Sequence, residues 1–316
     1  LDNAIFFMSS PRIYTMIIED VIQRANRTFV HVGGDFVLIE DSPVECPFIR
    51  VKTWKDAWTA LYLRKLQFGQ FTEERKIKDS RKYVPFGASE IIMEAMYAGL
   101  LDAAVLVCDG AGTVITDDPS IVQGIGGRMS GLLYTVPRKK VINKLKKENA
   151  TVLDIETAVI DPVKGAQKAR ELYSNVVVTI TAGKDIELLN KMPELFVFVV
   201  HTTGVSATQA EYACQADIVW GCCSKQVRDR VGTHALVQLG VGIPVFVMTE
   251  RAIRIILPQI KNLSDTIGSV LKEKISDIVS GESVVIHHTR TAHGMGLVMK
   301  KSTLPVSRHT GPRPLI

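Results

Sequence analysis

The sequence lacks any apolar run long enough to cross a bilayer. "LFVFVV" at 195–200 is among the longest, and a spanning helix needs roughly 20 such residues. The early stretch "AIFFM" is too short for a signal-peptide core and has no basic flank before it, so the expected location is cytoplasmic, with no membrane partner. Cysteine is scarce. The five residues, at 46, 108, 214, 222 and 223, form no C-x-x-C pair. An odd count without an export signal argues for reduced thiols, not a disulfide framework. Glycine and proline are scattered rather than clustered, which excludes a long linker or low-complexity tract. Several catalytic and nucleotide signatures are missing too. There is no G-x-x-x-x-G-K-[ST], no H-E-x-x-H and no G-x-S-x-G. "DGAGTV" lacks the third glycine of a dinucleotide fingerprint, and "GIGGRM" has Met129 where glycine or alanine belongs.

What is present fits a globular chain with a filled core. The 316 residues are 46% hydrophobic and 22% charged, enough for one large α/β domain or two smaller ones. Part of the net charge of +5 lies in "RKKVINKLKK" at 138–147 and in the basic tail after His287. Such a run is most simply a solvated face; an acidic protein partner is the alternative, and nucleic acid is disfavoured because no recognition motif accompanies the charge.

Three stretches read differently. Residues 1–82 form a small α+β unit: "RTFVHVGGDFVLIED" is a hairpin signature around Gly33-Gly34, and "VKTWKDAWTALYLRKLQ" places Trp54, Trp58, Leu61 and Leu66 near one helical face. Residues 83–280 alternate helix and strand. The strands, at 102–108, 150–155, 175–181, 194–200, 217–220 and 243–249, are near-continuous aliphatic runs, as expected of a parallel sheet covered on both faces. Helices are expected at 88–100, 162–173 (Asp161 cap, Pro162 at the first position), 183–190, 206–214 (a Ser206/Gln209 capping box) and 224–239. Residues 281–316 are a basic tail, in which His287, His288 and His293 read as mobile polar groups before they read as metal ligands. The predicted fold is α/β: a doubly wound, mostly parallel, Rossmann-like sheet with a small α+β amino-terminal unit.

In such sheets ligands bind beyond the carboxyl ends of the strands. The residues following each strand are Cys108-Asp109-Gly110-Ala111-Gly112-Thr113, then Ala182-Gly183-Lys184, His201-Thr202-Thr203-Gly204, Cys222-Cys223-Ser224-Lys225, and Glu250-Arg251. Turns of this kind are usually polar and glycine-rich, yet the His201 and Cys222 turns cluster several nucleophilic or hydrogen-bonding groups. Gly124, Gly126 and Gly127 precede Arg128 and an apolar stretch. They suit either an anion at a helix start, completed by Arg128, or close helix–sheet packing. Cys222 with Lys225 near a helix start favours a thiolate, whereas Cys214 reads as a core residue. A shared thiol or metal site of Cys108, Cys222 and His201 is conceivable on these positions alone, and no metal ligand set is assigned.

"FGASEIIMEAMYAGLLDAAVLVCDGAGTVIT" (86–116), "VQGIGGRMSGLL" (122–133), "VHTTG" (200–204) and "CCSK" (222–225) together resemble the methanogenesis marker protein 8 family of archaea. The likeness spans about residues 86–260. It implies a setting, methane-producing archaea, and carries no reaction or cofactor with it. The leading expectation is an accessory enzyme that binds an anionic cofactor or substrate at the strand-end crevice. In that reading Asp109 is acid, base or metal contact, His201 and Thr203 orient the ligand, and Cys222 with Lys225 supplies a nucleophile or anion contact. The rival is a non-catalytic assembly or maturation factor with an acidic protein partner, and self-association is compatible with either. Asp109 and Cys222 locked into hydrogen-bonded turns would favour the rival.

Overall fold

The computed structural model describes residues 4–5, 16–127, 129, 131–240, 242–261 and 311–316. In chain order the elements are strands β1 (Ala4–Ile5), β2 (Met16–Arg24), β3 (Arg27–Val32) and β4 (Asp35–Glu40), then helices α1 (Trp54–Phe68) and α2 (Ala88–Tyr97). Strands β5 (Ala103–Cys108) and β6 (Gly112–Thr116) follow, then α3 (Pro119–Ile121) running into a π-helical turn (Val122–Gly126), β7 (Leu132–Thr135), α4 (Lys139–Lys147) and β8 (Thr151–Val152). The remainder is α5 (Pro162–Arg170), β9 (Val176–Ile180), α6 (Asp185–Leu189), β10 (Leu195–Val199), α7 (Ala207–Ala213), β11 (Ile218–Trp220), α8 (Lys225–Arg230), β12 (Val237–Leu239), β13 (Val245–Val247) and α9 (Glu250–Lys261).

Local chemistry explains many boundaries. Gly33 and Gly34 have φ of +56° and +88°, the left-handed values that a tight hairpin between β3 and β4 requires. Thr53 and Asp56 cap α1 reciprocally, and Gly69 ends it with φ of 63°. Asp161 accepts from the Lys164 amide ahead of Pro162, and Ser206 with Gln209 forms the expected capping box of α7. Two expectations need correction. The helix predicted over 224–239 stops at Arg230, the Gly232 amide bonding back to the Val227 carbonyl, and 237–239 is an edge strand. On α1 the buried residues are Ala57 and Leu61; Trp58 donates its indole N–H to the Phe36 carbonyl, whereas Trp54 and Leu66 are exposed.

The large sheet is mixed, in the order β12-β13-β11-β10-β9-β5-β6-β8. Strands β5, β9, β10 and β11 are mutually parallel, and both flanks are antiparallel. The four parallel strands follow one another in chain order, without the reversal that creates a switch point in a doubly wound sheet. Helices nevertheless cover both faces. Along β10, Leu195, Val197 and Val199 pack with residues of α5, α6, α7 and α8, while Phe196 and Phe198 pack with residues of α2, α4 and α9. Period-two alternation inside an unbroken apolar run thus feeds two cores at once.

A second sheet joins β1, β2, β3 and β4, with β7 added to β2. The small amino-terminal sheet therefore takes a strand from far beyond residue 82. Its core, Phe29, Phe36, Leu61 and Phe71, also meets Val107 at the end of β5.

Candidate functional site

Because β5, β9, β10 and β11 are parallel, the turns after Cys108, Ile180, Val199 and Trp220 lie at one edge of the large sheet. The Glu250-Arg251 turn does not: β13 runs antiparallel to β11, and Arg251 pairs instead with Asp217, just before β11. The small sheet covers the shared edge. Gln23 of β2 meets His201, Asn26 lies against Gly204, Asp20 binds Arg138, and Thr135 of β7 holds Gly110.

Residues 108–113 form the closed end of an antiparallel hairpin, β5 to β6, rather than a strand-to-helix turn. Asp109 is wholly buried. It accepts from the Phe71 amide at 2.6 Å and from Arg75 Nε at 2.7 Å. Arg75, itself 1% exposed, also donates to the carbonyls of Lys76 and Ile125. Burial works against the Arg75 charge, but the Asp109 carboxylate raises its pKa above the ordinary value. The turn's glycines have steric reasons. Gly110 has φ of +82° and lies against Arg138; a Cβ on Gly112 would come within 2.1 Å of the Ala158 carbonyl oxygen. Thr113 faces α5, accepting from the Asp161 amide at 2.8 Å. Cys108 is sealed, and burial pushes its thiol up to about 12.

The glycine cluster lies at the end of a helix, not at its start. Gly124 and Gly126 belong to the π-helical turn, and Gly127 closes it with an amide bond to Gln123. A Cβ on Gly124 would sit 2.1 Å from the Ile77 carbonyl oxygen, and one on Gly126 would meet Ser89. Close packing accounts for these glycines, and no helix N-terminus offers them to an anion. Arg128 lies outside the described residues, as do His287, His288 and His293.

The two remaining turns adjoin each other. His201 has φ of +57°, its Nε2 bonds Gln23 Oε1 at 2.6 Å, and burial lowers its pKa to about 4, so the ring is neutral at pH 7. Thr202 donates to the Trp220 carbonyl at 2.5 Å, and Thr203 Oγ1 accepts from the Cys223 amide. Ser224 caps α8, and Lys225 pairs with Asp229 one turn on, at the exposed surface. Cys222, half-buried, has φ of +38°, a conformation held by Arg228 donating to the carbonyls of Gly221, Cys222, Ser224 and Gly242. Cys46, from the loop after β4, is buried, and burial pushes its thiol up. The site of Cys108, Cys222 and His201 that the positions made conceivable is not among the described groups whose ligand atoms lie within 4.8 Å of one another.

The most charged part of the interface escaped the sequence reading. Asp20, fully buried on β2, accepts from Thr135 Oγ1 at 2.6 Å, from both terminal nitrogens of Arg138 at 3.0 and 2.6 Å, and from His31 Nδ1 at 3.0 Å. Burial alone would raise its pKa, but the bonds from His31 and Arg138 hold it below the ordinary carboxylate range. Glu19 also reaches His31 and Arg138. Lys65 donates to His31 Nε2 at 3.2 Å and to the Gly34 carbonyl, which leaves the ring proton on Nδ1, facing Asp20. Glu19, Asp20 and His31 present ligand atoms within 4.8 Å of one another. A cation there would compete with Arg138 and Lys65, whose charges already balance the two carboxylates. Asp20 falls on the buried side of β2, which alternates, whereas every residue of β3 around His31 is buried; a charge at either position needs a partner, and the sequence nearby does not supply it.

Among the described residues no helix is long and apolar enough to cross a membrane. Residues 45–261 match the family described as "Uncharacterized protein conserved in archaea (DUF2099)". An uncharacterized protein of Methanocaldococcus jannaschii, MJ0054, is 39% identical over 208 residues, which cover 64% of this chain and 74% of that relative. No solved structure matches.

Proposed function

The chain belongs to this archaeal family of uncharacterized proteins, and from that premise we propose that it is a methanogenesis-associated cytoplasmic factor, of the methanogenesis marker protein 8 kind, acting in assembly or maturation of a methanogenesis enzyme. One observation carries the choice of a non-catalytic role. The strand-end edge is covered by the small sheet, and three of the groups expected to do chemistry there are committed to structural bonds: Asp109 to Arg75 and Phe71, His201 to Gln23, Lys225 to Asp229. The relative from a methanogen supports the setting. Exposed Lys139, Lys146 and Lys147 on α4 fit an acidic protein surface.

A second reading, the accessory enzyme with an anionic ligand, draws on His31. A buried carboxylate orients its Nδ1–H and leaves Nε2 facing Lys65, an arrangement suited to a general base once Lys65 moves aside. Deleting the gene in a methanogen separates the two. The assembly reading expects an incompletely assembled methanogenesis enzyme and no accumulated small-molecule intermediate; an accumulated intermediate alongside fully assembled enzymes would refute it. Complementation with His31→Asn, which keeps a donor near Asp20 and removes Nε2, should restore growth under the assembly reading and fail under the enzymatic one.

A further inference from the structure

We propose that the outer edge of β8 is a docking groove for an extended acidic segment of a partner protein, which adds to the large sheet as a further strand. The proposal rests on the assembly reading and names the surface that such a factor would use. Strand β8 ends the sheet: it pairs with β6, and no described strand pairs with its other side. The register sets Val152 against Val114, and the Leu153 amide bonds the Thr113 carbonyl. In an antiparallel ladder alternate residues turn their backbone groups to the partner, so the N–H and C=O of Val152 face outward. At the opposite end of the sheet β12 is buried throughout. Beside β8, by contrast, the apolar side chains of Ile155 and Val159 are 39% and 38% exposed.

A groove of about 560 Å³ follows this edge, lined by Val152, Leu153, Ile155 and Val159 together with Lys146 and Lys164. The two lysines come from opposite layers. Lys146 belongs to α4, whose Val141 and Leu145 share a core with Val152; Lys164 belongs to α5, whose Ala166 and Ala169 pack with Val105 and Ile115 on the other face. The groove thus crosses the rim of the sheet with a cation on each lip. The Lys146 side chain has no charged partner among the described residues, and Lys164, 72% exposed, has Asp161 at 3.4 Å. Asp154 also lines the groove, but its two oxygens are held by the Glu156 and Thr157 amides and the Thr157 hydroxyl. The wall is preformed, because the Thr113 amide bonds the Val159 carbonyl and the Ala158 amide bonds the Asp154 carbonyl; binding need order little of it. Size alone would also suit a small molecule. A free strand edge between two separated cations selects an extended chain instead: its backbone pairs with Val152, its apolar side chains meet the floor, and its carboxylates complement the lysines.

Fluorescence anisotropy of the full chain with a fluorescein-labelled octapeptide of alternating valine and glutamate tests this at physiological salt. Binding should be detectable at or below roughly millimolar peptide. Lys146→Glu and Lys164→Glu should each weaken it several-fold and the double variant about tenfold or more, since each reversal replaces an exposed attraction by a repulsion. Both side chains are exposed, so the variants keep the fold. Lys191→Glu, the same charge change in the turn after α6, should leave binding nearly unchanged. A peptide with the same side chains but every backbone nitrogen methylated cannot pair with a strand and should not bind. Absence of binding at millimolar peptide, retention of the methylated peptide, or displacement by an equal concentration of glutarate, the mark of a small-anion pocket, would each overturn the proposal. An assembly defect on gene deletion together with no peptide binding would sink the groove and spare the assembly reading.

Discussion

Replacing Asp109 by Asn asks whether this carboxylate works in chemistry or in architecture. In the native chain one oxygen accepts from the Phe71 amide and the other from Arg75 Nε, and neither side chain of the ion pair reaches water. Asparagine keeps one acceptor and sets its NH2 against the other donor, so one N–H loses its partner. The Arg75 guanidinium then keeps two carbonyl contacts but loses its counter-charge. Breaking a buried pair from one side costs about 3–5 kcal/mol, a large share of the roughly 5–15 kcal/mol that holds a typical domain folded. For a chain of this size that corresponds to a melting temperature lower by roughly 5–8 °C. Arg75→Met should cost a similar amount, since it strands the carboxylate. The Arg75→Met/Asp109→Leu double variant removes both charges and should recover most of the loss. Thermal unfolding followed by near-ultraviolet circular dichroism, with Asp109→Leu as the second single variant, measures all four corners of the cycle. An Asp109→Asn protein that melts with the native chain, or a double variant that loses the sum of the two singles, would refute the architectural role.

Three further outcomes follow from the same geometry. His201, neutral with its pKa lowered to about 4, takes up a proton on unfolding at any pH between about 4 and its ordinary 6.5; stability is therefore intact above that window and falls through it on acidification, by at most about 3 kcal/mol. Denaturant melts at several pH values should show this slope, and His201→Gln, which retains a donor to Gln23, should flatten it. Gly124→Ala should destabilise by about 1–3 kcal/mol in the same melts, because its Cβ would sit 2.1 Å from the Ile77 carbonyl oxygen; unchanged melting would mean that the backbone there yields freely. Limited alkylation near neutral pH with peptide mapping should label Cys222 first and Cys108 last, burial having pushed the Cys108 thiol up to about 12 and the Cys223 thiol up to about 11; early labelling of Cys108 would show that the Asp109 turn opens readily.

The sequence was legible where the signal is local and unreadable where it is a pairing. The caps of α5 and α7 and the Gly33-Gly34 hairpin are satisfied within a few residues of themselves, so the string contains both partners. The apolar runs of β9 and β10 likewise announce burial on two faces. A winding order leaves no such trace, because it depends on which strand accepts the next one. Gly112 and Thr113 read as part of a ligand turn, since two glycines so close to Asp109 look like a loop; Gly112 is a strand residue whose missing Cβ admits the Ala158 carbonyl. Asp20 and Arg138 stand 118 positions apart, and nothing near either residue discloses the other. The same holds for Glu45, whose two backbone bonds go to Arg313, far along the chain.

That long-range pairing bears on what the covered edge can do. In an open α/β sheet, polar groups at the strand ends find their partners in a ligand. Here the small sheet and the segment after α1 supply many of them: the Thr135 hydroxyl for the Gly110 amide, Gln23 for His201, Arg75 for Asp109. Strand β7 leaves the large domain to join β2, so the cover is tied to the edge by backbone pairing as well as by side chains. Lifting it would separate Asp20 from Arg138 and Asp109 from Arg75 and uncover Phe71 and Val107. A ligand admitted that way would first have to offset two ion pairs and an apolar cluster, several kcal/mol by ordinary values. Functional contacts that leave this cover in place are energetically easier, because a partner on the outer surface is met without parting the sheets.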